Sequence, residues 1–199
     1  MAYADFEHDG NRAIAEVHVA KILIAGGFGV GKTTLVGTLS EVAPLRTEER
    51  LSEIGSSVDD LTGVEAKSTT TVALDFGRIT ISPKLIVYLF GTPGQDRFWF
   101  MWRELSVGAL GAVVLADTRR IDACFAAVDY FESRQIPFVV GVNCFDGAEV
   151  YDEDEIRYAL DLSPTTPVRL CDVRDRESTK EVLLHLLEHL RSSALPIRR

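Results

Sequence analysis

Short apolar runs alternate along this chain with stretches of helical spacing. Residues 19–25 (V-A-K-I-L-I-A) form the first run, and residues 34–39 (T-L-V-G-T-L) suit the start of a helix. Residues 71–81 (T-V-A-L-D-F-G-R-I-T-I) and 85–90 (L-I-V-Y-L-F) read as two strands with only Ser82-Pro83-Lys84 between them. So short a connection predicts an antiparallel hairpin. Residues 111–116 (G-A-V-V-L-A), 137–142 (P-F-V-V-G-V) and 167–171 (P-V-R-L-C) are apolar without alternation, as strands buried on both faces of a parallel sheet are. Helical spacing fills residues 121–134, 152–161 and 178–191, and in the last of these Val182, Leu183, Leu186, Leu187 and Leu190 make a core-facing stripe. The pattern predicts an α/β fold, a doubly wound sheet of about six strands with one antiparallel hairpin and about five helices. Ligands of such a sheet lie outside the carboxyl ends of its strands.

The hairpin carries a finer expectation. A three-residue loop at Ser82-Pro83-Lys84 pairs Ile81 with Leu85 and sets Asp75 directly across from Gly91 on the same face. A two-residue loop shifts that pairing by one. Residues 1–16 are polar and read as an N-terminal arm, residues 17–193 as one domain, and residues 194–199 as a tail. Residues 43–68 are polar and acidic, long for a loop in a compact domain, and such segments tend to be functional.

At 199 residues, with 46% hydrophobic and 26% charged residues, the chain falls in the soluble globular class. Its formal charge of −9 disfavours nonspecific binding to nucleic acid or to anionic lipid. No run approaches the ~20 apolar residues that span a bilayer. The N-terminus has neither the basic nor the apolar part of a secretion signal, and no acylation or prenylation motif is present at either end. Cys124, Cys144 and Cys171 form no C-x-x-C pair, so reduced thiols in a cytoplasm are expected.

The sharpest chemical signal follows the first apolar run. Residues 26–33 read G-G-F-G-V-G-K-T, the complete G-x-x-x-x-G-K-[ST] phosphate-binding loop, between a strand and a helix start. That setting gathers backbone N–H groups and the positive end of a helix around a polyphosphate. Gly26, Phe28, Gly29, Val30, Gly31, Lys32, Thr33 and Thr34 are therefore the expected phosphate-side contacts. Lys32 would reach the β- and γ-phosphates, and the Thr33 hydroxyl would bind Mg²⁺.

Two more segments stand where a nucleotide site needs them: G-T-P-G-Q-D at residues 91–96 and N-C-F-D at residues 143–146. Together with the phosphate loop and the threonines at 69–71, they resemble the Ras-like small GTPases in order and spacing, over residue 17 to about residue 193. The strings T-T-T-V-A-L-D-F-G and G-T-P-G-Q-D-R-F resemble the bacterial branch, which includes the MglA-type and conservon (CvnD-type) proteins. The resemblance implies a cytoplasmic molecular switch, membrane-recruited only through partners, that binds GTP and GDP with Mg²⁺ and hydrolyses GTP slowly. Implied partners are a roadblock-type (MglB-like) regulator and a sensor complex.

Residue by residue, Asp146 would read the base, since a carboxylate can accept from guanine N1–H and NH₂ whereas adenine offers an acceptor at N1. The plain alternative is an Asx-capped turn. Asn143 would steady the loops around the base, and a backbone N–H near Cys171-Asp172-Val173 would make a third base contact. Gly94 would bind the γ-phosphate, Gln95 would orient the attacking water, and Thr69 or Thr70 would join Mg²⁺ in the triphosphate state.

The chain departs from the family pattern at four places, one being Asp172, where the family has a small residue. Cys144 replaces a lysine packed beneath the base. Gly91 replaces the aspartate that holds Mg²⁺ through water, and Asp75, if opposite Gly91, would supply the missing carboxylate; otherwise it is a solvated strand charge. Phe28 replaces a glycine near the γ-phosphate, which implies slow intrinsic hydrolysis, with charge from a partner or from one of Arg46, Arg50, Arg78 and Arg97. The aromatic stretch Phe98-Trp99-Phe100-Met101-Trp102 reads either as core or, the preferred reading, as a partner surface exposed differently in the two nucleotide states. Two other readings remain open: a nucleotide-binding scaffold without turnover, and a P-loop small-molecule kinase.

Overall fold

The computed structural model describes residues 17–43, 45–52, 69–94 and 100–194, with the side chains of 45–52, 69–73 and 194 outside that description. Among the described residues seven strands form one sheet: β1 (His18–Gly26), β2 (Leu45–Ser52), β3 (Thr69–Ser82), β4 (Leu85–Gly91), β5 (Gly111–Ala116), β6 (Phe138–Asn143) and β7 (Val168–Cys171). Their spatial order is β2-β3-β4-β1-β5-β6-β7. Around them run α1 (Lys32–Leu39), α2 (Phe100–Ser106), α3 (Phe125–Ser133), α4 (Glu153–Ala159) and α5 (Arg176–Ala194). The expected doubly wound α/β architecture is present, and none of the described helices is long and apolar enough to cross a membrane.

Continuous apolar runs become strands here because both faces of the sheet are covered. Ile22, Ile24, Val113, Leu115 and Val139 pack on one face against Leu35, Val36 and Leu39 of α1 and Val182, Leu183 and Leu186 of α5. Their neighbours Leu23, Ala25, Val114, Val140 and Val142 point the other way, against Trp102 of α2, Val128 and Phe131 of α3 and Ile156 of α4. Alternate residues of one strand thus serve two cores, so no polar face is left to break the run.

The additional strand is β2. Its sequence, L-R-T-E-E-R-L-S, carries no apolar alternation and falls in the segment expected to be a loop. It forms by antiparallel pairing with β3, Thr47 opposite Leu74 and Glu49 opposite Val72. Charge along a sheet edge of this kind discourages further strand addition. The helix expected over 121–134 divides into a 3₁₀ stretch at Thr118–Cys124, interrupted at Arg120 (φ −151°, ψ 57°), and then α3. Asp117 accepts from the Arg119 N–H and sets that turn.

The hairpin resolves the register question in an unforeseen way. Its turn has two residues, Pro83 and Lys84, with Ser82 paired to Leu85. A β-bulge between Thr80 and Ser82 cancels the resulting shift, so Ile79 pairs with Val87 and Phe76 with Phe90. Asp75 therefore does face Gly91: a Cβ built on that glycine would lie 3.0 Å from Asp75 Cβ and 3.2 Å from its Oδ2. Within the aromatic segment, Trp102 is core rather than partner surface. It is buried, donates from Nε1 to the Pro93 carbonyl at 3.2 Å, and meets Tyr130 edge-on. Phe100 is exposed. Phe98 and Trp99 lie outside the described residues.

Candidate nucleotide site

The strand order reverses at β1, which lies between β4 and β5, and a crevice opens at the carboxyl ends of these strands. Residues 27–31 turn there from β1 into α1. The turn is bound by space as much as by backbone conformation. Gly26 has φ +128°, and a Cβ would come 2.3 Å from the Leu115 carbonyl oxygen. Gly31 has φ +109°, and a Cβ there would come 2.9 Å from both Asn143 Nδ2 and Val173 Cγ2. Only glycine satisfies both conditions at either position.

Lys32 opens α1 with its side chain folded back over the turn, Nζ donating to the carbonyls of Gly26 at 2.9 Å and Gly27 at 2.7 Å. Burial pulls its pKa down to about 8, opposed in part by the negative charge of Asp75. Gly94, after β4, rests on this lysine, for a Cβ there would be 2.4 Å from Nζ and 3.0 Å from the Phe28 nitrogen. Phe28 projects outward with 66% of its surface exposed, and its carbonyl accepts from Arg120 Nη2 at 2.9 Å.

Thr33 Oγ1 donates to Asp75 Oδ2 at 2.5 Å, and the carboxylate is 9% exposed. Gly91 of β4 leaves the space for this carboxylate, since a Cβ there would crowd Asp75 Cβ at 3.0 Å and Oδ2 at 3.2 Å.

On the other flank lies a cleft of about 330 Å³, lined by Gly29, Gly31, Thr34, Phe145, Asp146 and Arg174 among others. Asn143, 3% exposed, holds its floor together. Nδ2 donates to the Val30 carbonyl at 3.0 Å, and Oδ1 accepts from the Val173 N–H at 3.3 Å. The Cys144 N–H donates to the Cys171 carbonyl at 2.7 Å. Cys171 is buried beneath the cleft, which pushes its thiol pKa up to about 12, so it supports the floor through its backbone. Arg119, held by both oxygens of the buried Asp117, lies 3.8 Å over the Phe145 ring. That arginine also keeps the Asp117 carboxyl below the usual range. At the mouth, Asp146 takes a forked pair of bonds from Arg174, Nη1 at 2.9 Å and Nη2 at 3.1 Å, and its pKa falls accordingly.

Fourteen of the expected residues thus converge: Gly26, Phe28, Gly29, Val30, Gly31, Lys32, Thr33, Thr34, Gly94, Asp75, Asn143, Asp146, Cys171 and Asp172. The Asp172 N–H, one candidate for the third base contact, is bonded to Ser178 Oγ at 3.0 Å. Thr69 and Thr70 begin β3, with their side chains outside the description; Gln95 and Arg97 also lie outside the described residues, as do the side chains of Arg46 and Arg50. The Arg78 backbone N–H bonds Ser40 Oγ, at the end of α1 away from the phosphate loop. Sequence reading missed Asp117, Arg119, Arg120 and Arg174. The signal was available, since D-T-R-R follows the apolar run 111–116 and D-V-R follows 167–171, both at strand carboxyl ends.

A glycine turn capped by a buried lysine at a sheet's switch point defines a nucleotide-binding P-loop protein. Residues 24–192 match the model of the family described as "Conserved hypothetical ATP binding protein", and the chain belongs to that family. A relative, "Uncharacterized protein MJ1339" of Methanocaldococcus jannaschii, is 30% identical over 172 residues, covering 85% of this chain and 96% of the relative. Among solved structures, the cytosolic domain of the T. maritima FeoB iron transporter in a GDP form is similar with a TM-score of 0.63 at 17% identity, over 92% of this chain and 67% of that one. The FeoB G domain from Methanococcus jannaschii has a TM-score of 0.58 at 13% identity, over 88% of this chain and 99% of that one. At such identities the likeness to the FeoB structures shows the fold.

Proposed function

We propose that this chain is a guanine-nucleotide-binding switch that hydrolyses GTP slowly on its own. The observation that carries the reading is Asp146, a carboxylate at the mouth of a cleft whose floor, through Asn143, is bonded to the phosphate loop. A purine on that floor would present its Watson–Crick edge to two acceptor oxygens, which suits guanine N1–H and NH₂ and opposes adenine N1. The FeoB domains solved in GDP and GMPPNP forms support the same choice by fold. Arg119 stacked on Phe145 would provide a wall where the Ras-like small GTPases have a lysine. Lys32 and the Gly94 N–H would take the γ-phosphate, and Gln95 would orient water. Arg120, bonded to the Phe28 carbonyl, adds positive charge beside the loop.

The donor set fits Mg²⁺. Thr33 stands at the loop with a buried carboxylate behind it, while no group of three or more His, Cys, Asp or Glu among the described residues could cage a metal. A cation there would draw most ligands from phosphate and water, as Mg²⁺ prefers. Thr33 would hold it, Asp75 would act through water, and Thr69 or Thr70 would join in the triphosphate state. Bound there, it would neutralise charge developing on the phosphates. Ordering of the segments around Thr69 and Gln95 would distinguish the two nucleotide states. A roadblock-type regulator and a sensor complex are the partners we propose by resemblance. The exposed Phe28 ring favours a second reading, a nucleotide-binding scaffold without turnover, because it obstructs an arginine arriving from a partner.

Competition binding with labelled GDP tests the base assignment. GDP and GTP should displace the label at least about a hundredfold more effectively than ADP and ATP, and Asp146→Ala should erase most of that difference. Equal displacement by adenine nucleotides from the unaltered protein would contradict it. Single-turnover hydrolysis separates switch from scaffold.

A further inference from the structure

The backbone donors expected to meet the sixth position of the base are already engaged. The Asp172 N–H bonds Ser178 Oγ, the Val173 N–H bonds Asn143 Oδ1, the Arg174 N–H bonds Asp172 Oδ1 at 2.9 Å, and the Asp175 N–H bonds the Asp172 carbonyl at 3.0 Å. A guanine whose N1–H and NH₂ lay on Asp146 would bring its O6 beside the carboxylate, facing a loop with these amides spent.

The Arg174 side chain stands at that place. Its Nε and Nη2 grip both oxygens of Asp172 at 2.8–3.2 Å, which anchors one edge of the guanidinium. The neighbouring edge, Nη1 together with the shared Nη2, lies in a two-pronged contact on Asp146. The anchor does not depend on Asp146, so the second edge can leave that carboxylate while the first stays fixed. A fork of two parallel N–H donors matches the O6 and N7 acceptors of guanine. Adenine presents an amino group in place of O6 and repels the same fork.

We infer that Arg174 is a base-specificity residue of this site, moving its outer N–H pair from Asp146 onto O6 and N7 of a bound guanine while Asp172 holds it in place. The inference rests on the guanine reading of the site and deepens it. Asp146 and Arg174 then read adjacent edges of the base, one as acceptor and one as donor, and in the empty protein each satisfies the other. The replacement of a small residue by Asp172 acquires a purpose as the anchor of the arginine.

The test measures GDP, 7-deaza-GDP (N7 replaced by C–H) and ADP binding to the full chain and to Arg174→Ala and Arg174→Lys, with thermal melting of the empty proteins as a check on folding. The unaltered protein should bind GDP about tenfold more tightly than 7-deaza-GDP. Arg174→Ala should weaken GDP by at least about tenfold and bind GDP and 7-deaza-GDP equally. Arg174→Lys, a point charge without the fork, should recover less than half of the lost binding free energy. Unchanged or tighter GDP binding by Arg174→Ala overturns the inference, since the arginine is then only a competitor for Asp146. An equal loss for GDP and 7-deaza-GDP also overturns it, because the arginine would then only position Asp146. If the unaltered protein fails to prefer GDP over ADP, the guanine reading itself falls, a result separate from either of these.

Discussion

Asp75→Asn isolates the carboxylate that reaches across Gly91. The amide keeps the size and an acceptor oxygen for Thr33 Oγ1, now 2.5 Å from Asp75 Oδ2, so the strand pairing and the loop should persist. What disappears is a negative charge in a buried place, behind the hydroxyl assigned to the cation. A hydrogen bond to a charged group contributes about 1.5–3 kcal/mol, and losing only its charge should cost the cation-bound complex about 1.5 kcal/mol, or roughly tenfold in affinity. The assay is displacement of fluorescent GDP in parallel, with millimolar Mg²⁺ and with excess EDTA. Affinity should fall about tenfold with Mg²⁺ and change by less than about twofold in EDTA. An equal fall under both conditions would refute the reasoning, because Asp75 would then support the loop and not the cation.

Two further predictions concern the loop and its floor. The Lys32 pKa of about 8, set by burial, makes binding and stability respond oppositely to alkali. GDP binding uses the ammonium, so affinity should fall as pH rises above 8, by up to about tenfold per pH unit, and Lys32→Gln should flatten the profile. The empty protein has the reverse sign. Its lysine is lowered from 10.5, so between about 8 and 10.5 the unfolded chain binds the extra proton, and stability should rise by up to about 3 kcal/mol across that window in denaturant titrations. Asn143→Ala leaves the Val30 carbonyl and Val173 N–H without their partner in a buried place. It should cost about 2–4 kcal/mol and lower the Tm of the empty protein by about 5–12 °C, as scanning calorimetry would show.

Much of this architecture was legible in the chain because its physical causes are local. A glycine-rich turn before Lys32-Thr33 announces a phosphate loop by composition, and apolar runs at 111–116 and 137–142 announce strands covered on both faces. The Asp75–Gly91 pair was legible too, although the reason differed: a bulge between Thr80 and Ser82 restored the register that the two-residue turn had shifted. Bulges leave little trace in a sequence, since any residue with compatible backbone angles can form one. β2 was hidden for a similar reason, as an edge strand stabilised by backbone pairing with β3 needs no apolar pattern of its own. Trp102 misled because an aromatic cluster reads alike whether it packs inward or outward. The arginines at 119, 120 and 174 were overlooked because their roles depend on which loops meet, and only the fold brings Arg174 onto Asp146.

The central claim is that the carboxylate at position 146 chooses the base. Asp146→Asn converts two acceptors into one acceptor and one donor, which no longer suits guanine N1–H and NH₂ but does suit xanthine N1–H and O2. Binding of GDP and xanthosine diphosphate to the unaltered protein and to Asp146→Asn, measured side by side, is the most direct test. The account predicts that GDP weakens by about a hundredfold in the variant while xanthosine diphosphate tightens and becomes the preferred ligand. A variant that binds GDP as the unaltered protein does, with no gain for xanthosine diphosphate, would contradict it.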